Sequence, residues 1–157
     1  MNIALITHDL HEHGGHSLYT RRLADAMSRQ HDVTVFANRC ERASDDSWGF
    51  TQVRAWRESA LATVATFPLG LRTRARELDK FTIRHAQGFC GGNPNVVTGH
   101  ICVAAYLESL RDASLLTRLS LRLMAAAEQR FYRQYASRVI AVSQKVADEL
   151  REFYGFR

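Results

Sequence analysis

Four histidines, His8, His11, His13 and His16, crowd one short stretch near the start of the chain, with Gly14 and Gly15 between the last two. Imidazole is versatile near neutral pH: it ligates zinc, moves protons and exchanges hydrogen bonds with hydroxyls. The spacing does not set two rings on one helix face as a rigid zinc site requires, so hydrogen bonding to ligand hydroxyls is the better use of them. The paired glycines carry different chemistry. A glycine turn that opens a helix exposes unpaired N–H groups at the positive end of the helix dipole, and lets a phosphate or a sugar approach where a Cβ would block it. A plain tight turn is the bland alternative. Two more polar residues follow apolar runs directly, His100 after residues 96–98 and Ser143 after residues 138–142. His100 suits contact with ligand hydroxyls or ordinary packing, whereas Ser143 suits a ligand hydrogen bond or, preferably, the N-cap of the next helix.

These groups can act together only if the backbone brings them to one edge. Residues 2–7 read as a buried strand and 32–37 as a second; between them 17–30 place Tyr19, Leu23, Ala26 and Met27 at helical spacing, with Arg21, Arg22, Asp25 and Arg29 facing away. A right-handed βαβ unit is expected. A third strand is expected over 50–56, and residues 59–86 are mostly helix-compatible, broken around Pro68 and Gly70. After the Gly91-Gly92-Asn93-Pro94 breaker come a strand at 96–98, a helix over about 102–110 and a longer one over 117–135, in which Leu119, Leu123, Ala127 and Phe131 recur every fourth position. A strand at 138–142 and a helix at 144–153 with Gly155 as C-cap close the pattern. Such alternation predicts an α/β fold, a Rossmann-like doubly wound parallel sheet with helices on both faces, whose ligands bind beyond the carboxyl ends of the strands. Residues 8–17, 37–39, His100 and Ser143 should therefore share an edge.

Composition narrows the classes. With 157 residues, 46% apolar and 24% charged, the chain suits one folded domain without disorder or low complexity. Cys40, Cys90 and Cys102 show no C-x-x-C spacing, which favours free thiols and a reducing, cytoplasmic setting. The net charge of +5 is carried almost wholly by arginine and favours anionic partners. The opening has no basic leader region, and the apolar stretch 61–71, broken by Pro68, falls well short of the roughly 20 residues that span a bilayer. Arg72, Arg74, Arg76, Lys80 and Arg84 alternate with Phe67, Leu69, Leu71, Leu78 and Phe81. A solvated helix face is the preferred reading of that segment, and a peripheral contact with the anionic inner face of a membrane is the alternative.

Two blocks at the ends of the chain carry a resemblance. Residues 1–37, MNIALITHDLHEHGGHSLYTRRLADAMSRQHDVTVFA, resemble the first βαβ unit of glycosyltransferase family 4, and Glu128–Arg133, Tyr135–Ser143, Val146–Leu150 and Tyr154-Gly155 are similar to the family's last helix, Ile-Ala-Val-Ser strand and following helix. Between about 45 and 95 the match thins. The resemblance implies the N-terminal, acceptor-side half of a GT-B enzyme that moves a sugar from a nucleotide-diphosphate donor to a glycan, lipid or small-molecule acceptor, with retention and without a metal or other cofactor. It also implies a C-terminal GT-B domain as partner, supplying most of the donor site, so the 157-residue chain is expected to be inactive alone and to be one domain over 1–157. Under it, Gly14, Gly15, His13, His16 and Ser143 would face the donor or its diphosphate, and His100 would be the catalytic-site histidine. No Asp-x-Asp pair is present, and no nucleic-acid partner is expected. One departure concerns residues 100–117, which hold one helix where the family has more, so that His100 fits either of two family positions.

Two rivals remain on the residues alone. An NADP-binding oxidoreductase lacks its G-x-G-x-x-G after the first strand, although Arg39 could accept a 2′-phosphate. A non-catalytic module that binds an acceptor, a lipid or a partner subunit is the other.

Overall fold

The computed structural model describes residues 1–11, 13–41, 46–56, 58, 60–110, 112–135 and 137–156, with only the backbone of 60 and 61. The elements in chain order are β1 (Asn2–Ile6), β2 (Asp9–Leu10), α1 (Gly15–Ser28), β3 (Asp32–Ala37), β4 (Arg39–Cys40), β5 (Gly49–Gln52), α2 (Ala60–Arg72), α3 (Ala75–Leu78), β6 (Ile83–Gln87), β7 (Val96–Gly99), α4 (Val103–Ser109), α5 (Leu115–Tyr135), β8 (Arg138–Ala141) and α6 (Gln144–Tyr154). Six strands form one sheet in the order β5-β3-β1-β6-β7-β8, with every neighbouring pair parallel. β2 and β4 make a separate parallel pair. The chain thus winds outward from β1 in one direction, then returns to β6 and winds outward in the other. Such an order creates a switch point, here between β1 and β6, where the loops leaving adjacent strands diverge and open a crevice.

The centre of the sheet is buried on both faces. Ala4, Ile6, Phe36, Ala86 and Val97 point to one side and meet Phe67 and Leu71 of α2, Phe131 and Tyr132 of α5, and Val146 and Leu150 of α6. Ile3, Leu5, Val33 and Val35 point to the other and meet Ala24, Leu23 and Met27 of α1 together with Trp48. Continuous apolar runs in the strands are the sequence signature of this two-sided burial.

Three expectations change. Residues 83–87 are a strand, β6, in the centre of the sheet, where the sequence reads as a continuation of helix-compatible chain. Pairing with β1 on one side and β7 on the other overrides the weak local preference of Ile-Arg-His-Ala-Gln. The second change concerns α1. Its buried line is Ser17, Thr20 and Ala24, one residue round from the expected stripe, while Ala26 is exposed. Small side chains let α1 lie close to the sheet, and its polar flank is covered by the following segment: Trp48 Nε1 donates to Asp25 at 2.8 Å, and Arg21 pairs with Asp46 at 3.1 Å and lies over the Trp48 ring. The third is α5, whose periodic Leu119 and Leu123 are exposed, whereas Phe131 further along is buried.

The β6–β7 crossover, residues 88–95, contains no helix and is short for a parallel connection. Gly88, Gly91, Gly92 and Asn93 take positive φ, which lets the chain double back within so few residues. A Cβ on Gly92 would press on Ile6 Cδ1 at 3.0 Å, so this loop packs against the sheet face itself.

Candidate functional site

The carboxyl ends of β1 and β6 are where the expected residues gather. The loop after β1 turns at Gly14, whose φ of 95° favours glycine, and α1 begins at Gly15. No side chain caps this end of the helix and its first turn carries no acidic residue. Among the described residues no group accepts from the amides of Gly15, His16 or Ser17, so they remain open donors at the positive end of a 14-residue helix. A Cβ built on Gly14 or Gly15 meets nothing within 4 Å, which leaves room above the turn.

From the first turn of α1, His16 reaches across the switch point, and its Nε2 donates to the backbone carbonyl of Gln87, the last residue of β6, at 3.3 Å. His100, just beyond β7, arrives from the other side: its Nε2 donates to Gln87 Oε1 at 3.1 Å. The two imidazoles touch edge to face with centroids 4.3 Å apart, and Tyr19 packs on His100 at 5.2 Å. One layer below, His85 Nε2 lies 2.7 Å from Thr98 Oγ1, on the sheet face that α1 covers. His8 is half-buried beside Phe67 and near the Cys90 thiol.

Charge in this cluster is suppressed. Burial, with His16 and His85 as like neighbours, pushes His100 down to about 4. Burial likewise takes His85 and, with a contribution from His16, His8 to about 4. His16 is lowered by burial, against an opposing contribution from the Gln87 carbonyl. Among the described residues no carboxylate forms an ion pair with any of these four rings. At neutral pH they are therefore uncharged imidazoles, each with one donor and one acceptor nitrogen. The Cys90 thiol is pushed far up by burial and is inert.

Of the residues singled out in sequence, Gly14, Gly15, His16 and His100 come together. His13 is exposed, and among the described residues no hydrogen bond or ring contact ties it to the pair. Ser143 is exposed at the end of the edge strand β8 and accepts from Val146 N at 3.2 Å, so it is the N-cap of α6. His11 faces Glu41 at 3.4 Å. The four clustered histidines are thus dispersed to separate tasks, and among the described residues no three His, Cys, Asp or Glu side chains stand at metal-binding distance. Asn38, at the end of β3, is buried in bonds to Asp9, Gln52 and Ala55. Gln87 and His85 escape the sequence reading because β6 itself does, and Thr98, on the expected strand, has its partner His85 on β6; the signal for Gln87 was a polar residue closing a strand beside β1.

A concavity of about 530 Å³ lies elsewhere, between α2–α3, the β6–β7 loop and α5, and is lined mainly by apolar side chains such as Leu71, Phe89 and Phe131. Its location over one sheet face separates it from the His16–His100 pair. Of the apolar residues of the basic 67–84 segment, Phe67, Leu71 and Leu78 are buried and Phe81 packs against the core, whereas Leu69 is exposed; Arg74 pairs with Glu77 and Arg84 with Asp79. No described helix is long and apolar enough to cross a membrane.

Comparison with known proteins agrees with this architecture. The family model for Glycosyltransferase Family 4 matches residues 13–157. Among solved structures, WaaG, a glycosyltransferase involved in lipopolysaccharide biosynthesis, superposes with a TM-score of 0.81 at 18% identity, over 99% of this chain and 42% of that one. The sucrose-phosphate synthase of Thermosynechococcus elongatus superposes with a TM-score of 0.54 at 13% identity, over 90% of this chain and 47% of its own. The chain therefore spans less than half the length of either structure. No curated protein matches it.

Proposed function

Because this chain belongs to Glycosyltransferase Family 4, we propose that its sheet is the acceptor-side wall of a GT-B sugar-transfer site. The donor is a nucleotide-diphosphate sugar, and the acceptor is a glycan, lipid or small-molecule hydroxyl. The opposite wall comes from a C-terminal domain. The observation that carries this reading is the convergence, at the β1–β6 switch point, of an uncapped helix start at Gly14-Gly15 with two neutral imidazoles. Open amides at a helix N-terminus suit a diphosphate. Neutral imidazoles suit hydroxyl groups and have no charge with which to compete for it.

In the transfer, the bond between the anomeric carbon and the diphosphate oxygen breaks, the acceptor oxygen bonds that carbon on the same face, and the acceptor proton passes to the departing phosphate oxygen. The negative charge growing on the leaving group is what the amides of Gly15 and His16 would stabilise, a preorganised electrostatic effect. Configuration is retained and no metal takes part, both as the family resemblance implies; the lack of an Asp-x-Asp pair in the sequence is consistent with the second. Three free thiols favour the cytoplasm as its setting. The test is transfer by the longer protein containing this chain, with a panel of nucleotide-diphosphate sugars and a chelator present. Retention read by NMR of the product anomer, undiminished by the chelator, is expected. Inversion, or abolition by the chelator, overturns the mechanism.

A further inference from the structure

We propose that Gln87 is the positioning residue of the crevice: its backbone carbonyl and its side-chain oxygen hold His16 and His100 as Nε2–H tautomers, so that both rings keep Nδ1 as the hydrogen-bond acceptor. The inference rests on the sugar-transfer reading only for what that acceptor meets. Its geometry stands alone. A backbone carbonyl oxygen can only accept, so the nitrogen 3.3 Å from Gln87 O in His16 carries its proton, and with the side-chain oxygen of Gln87 turned to His100 at 3.1 Å the nitrogen facing it carries one too. A neutral imidazole has one N–H, and in each ring it is already spent. Neither Nδ1 has a protein donor among the described residues, and neither is enclosed as an unpaired buried atom.

Gln87 is well suited to fixing this state. It is 1% exposed, its backbone sits in the β6–β7 ladder opposite Thr98, and its side-chain amide nitrogen is buried without an acceptor among the described residues. An unpaired buried donor is costly, and an apolar side chain of similar length would avoid that cost. What glutamine supplies in exchange is Oε1 for His100. The consequence is selectivity of sign: a ring that offers only a lone pair attracts a hydroxyl hydrogen and repels a phosphate oxygen, which leaves the diphosphate to the amides of α1 and the hydroxyls to the histidines. Tautomers set by a neighbouring hydrogen bond are a general device for orienting histidine at working sites.

The experiment is long-range proton–nitrogen NMR on the imidazole rings of the 157-residue chain at neutral pH, for the parent and for Gln87→Met, with His85 as internal reference for an intact fold. Expected are Nε2–H forms for His16 and His100 in the parent; in Gln87→Met, His16 stays as it was, because the backbone carbonyl remains, while His100 averages between its two tautomers. An averaged or Nδ1–H form of His100 in the parent, or an unchanged His100 in the variant, overturns the proposal. Should Gln87→Met not fold, Gln87→Glu serves instead: a carboxylate in place of the amide is expected to shift the midpoint of the His100 titration upward by at least a unit, and an unmoved midpoint overturns it. The transfer assay on the longer protein separates the two readings, since ring tautomers that behave as stated while that protein transfers sugar from none of the nucleotide-diphosphate sugars would remove the transfer reading and leave Gln87 in its role.

Discussion

At the scale of single residues, Gly14 and Gly15 look alike in sequence and differ in the structure. Only Gly14 has positive φ, so a valine there is expected to cost about 1–3 kcal/mol from backbone strain. Gly15 has ordinary helical geometry and open space beyond its Cα, so Gly15→Val should leave stability within about 1 kcal/mol of the parent. In the longer enzyme it is expected to lower kcat/KM by roughly 10²-fold, because the side chain would occupy the diphosphate position. Unchanged kinetics together with an unchanged melting temperature would remove the ligand role of the turn. The neutral histidines make a second prediction. His8 and His85 are held down to about 4 by burial, whereas in the unfolded chain they titrate near their ordinary 6.5. The unfolded state therefore binds more protons between those values, and stability is complete above pH 6.5 and falls as the pH drops towards 4, by up to ~1.4 kcal/mol per pH unit for each fully effective ring. Chemical denaturation at pH 7 and pH 5 measures this, and equal stabilities would show that the rings are not kept neutral by the fold.

At the scale of elements, helix α4 takes its start from α5. Cys102 is its N-cap and offers no side-chain cap, and Val103 N instead donates to Glu128 at 2.9 Å. The same carboxylate accepts from Tyr154 of α6 at 2.5 Å and from Tyr132 at 3.4 Å, while burial pushes its pKa up. One buried group thus ties three helices beside the β7 end that carries His100. Glu128→Ala would strand two tyrosine hydroxyls and one amide, and a loss on the order of 3 kcal/mol in urea unfolding is expected; a loss under about 1 kcal/mol would show that water replaces the carboxylate. Gly70 matters differently. It lies on α2 where a Cβ would overlap the Arg54 carbonyl oxygen, so Gly70→Ala should destabilise by about 1–3 kcal/mol despite alanine's better helix propensity. A stabilising effect would mean that α2 can lift from the strand-end segment at no cost.

At the scale of the whole molecule, the proposed site is one wall of a cleft, and the 157-residue chain alone is expected to show no sugar transfer and only weak nucleotide-sugar binding by calorimetry. Tight binding by this chain would place the donor site here instead. The class of fold was legible in the residues themselves: apolar runs at 2–7, 32–37, 96–98 and 138–142 alternate with helical periodicity, and local spacing suffices for that because the central strands are buried on both faces and even the edge strand β8 keeps an apolar sequence. The Gly-Gly turn was legible for the same local reason, since its conformation is set by the residues that form it. Gln87 was not. Its strand carries Arg84 and His85 among its few residues and acquires its identity only by lying between β1 and β7, and its role depends on a histidine 71 positions earlier and another 13 positions later. Dispersal of the four early histidines was likewise decided in three dimensions, by Phe67, Glu41 and the Gln87 carbonyl, each remote in sequence. Local patterns determine which elements form; which polar groups meet across a switch point is decided by strand order, a property that exists only once the sheet is assembled.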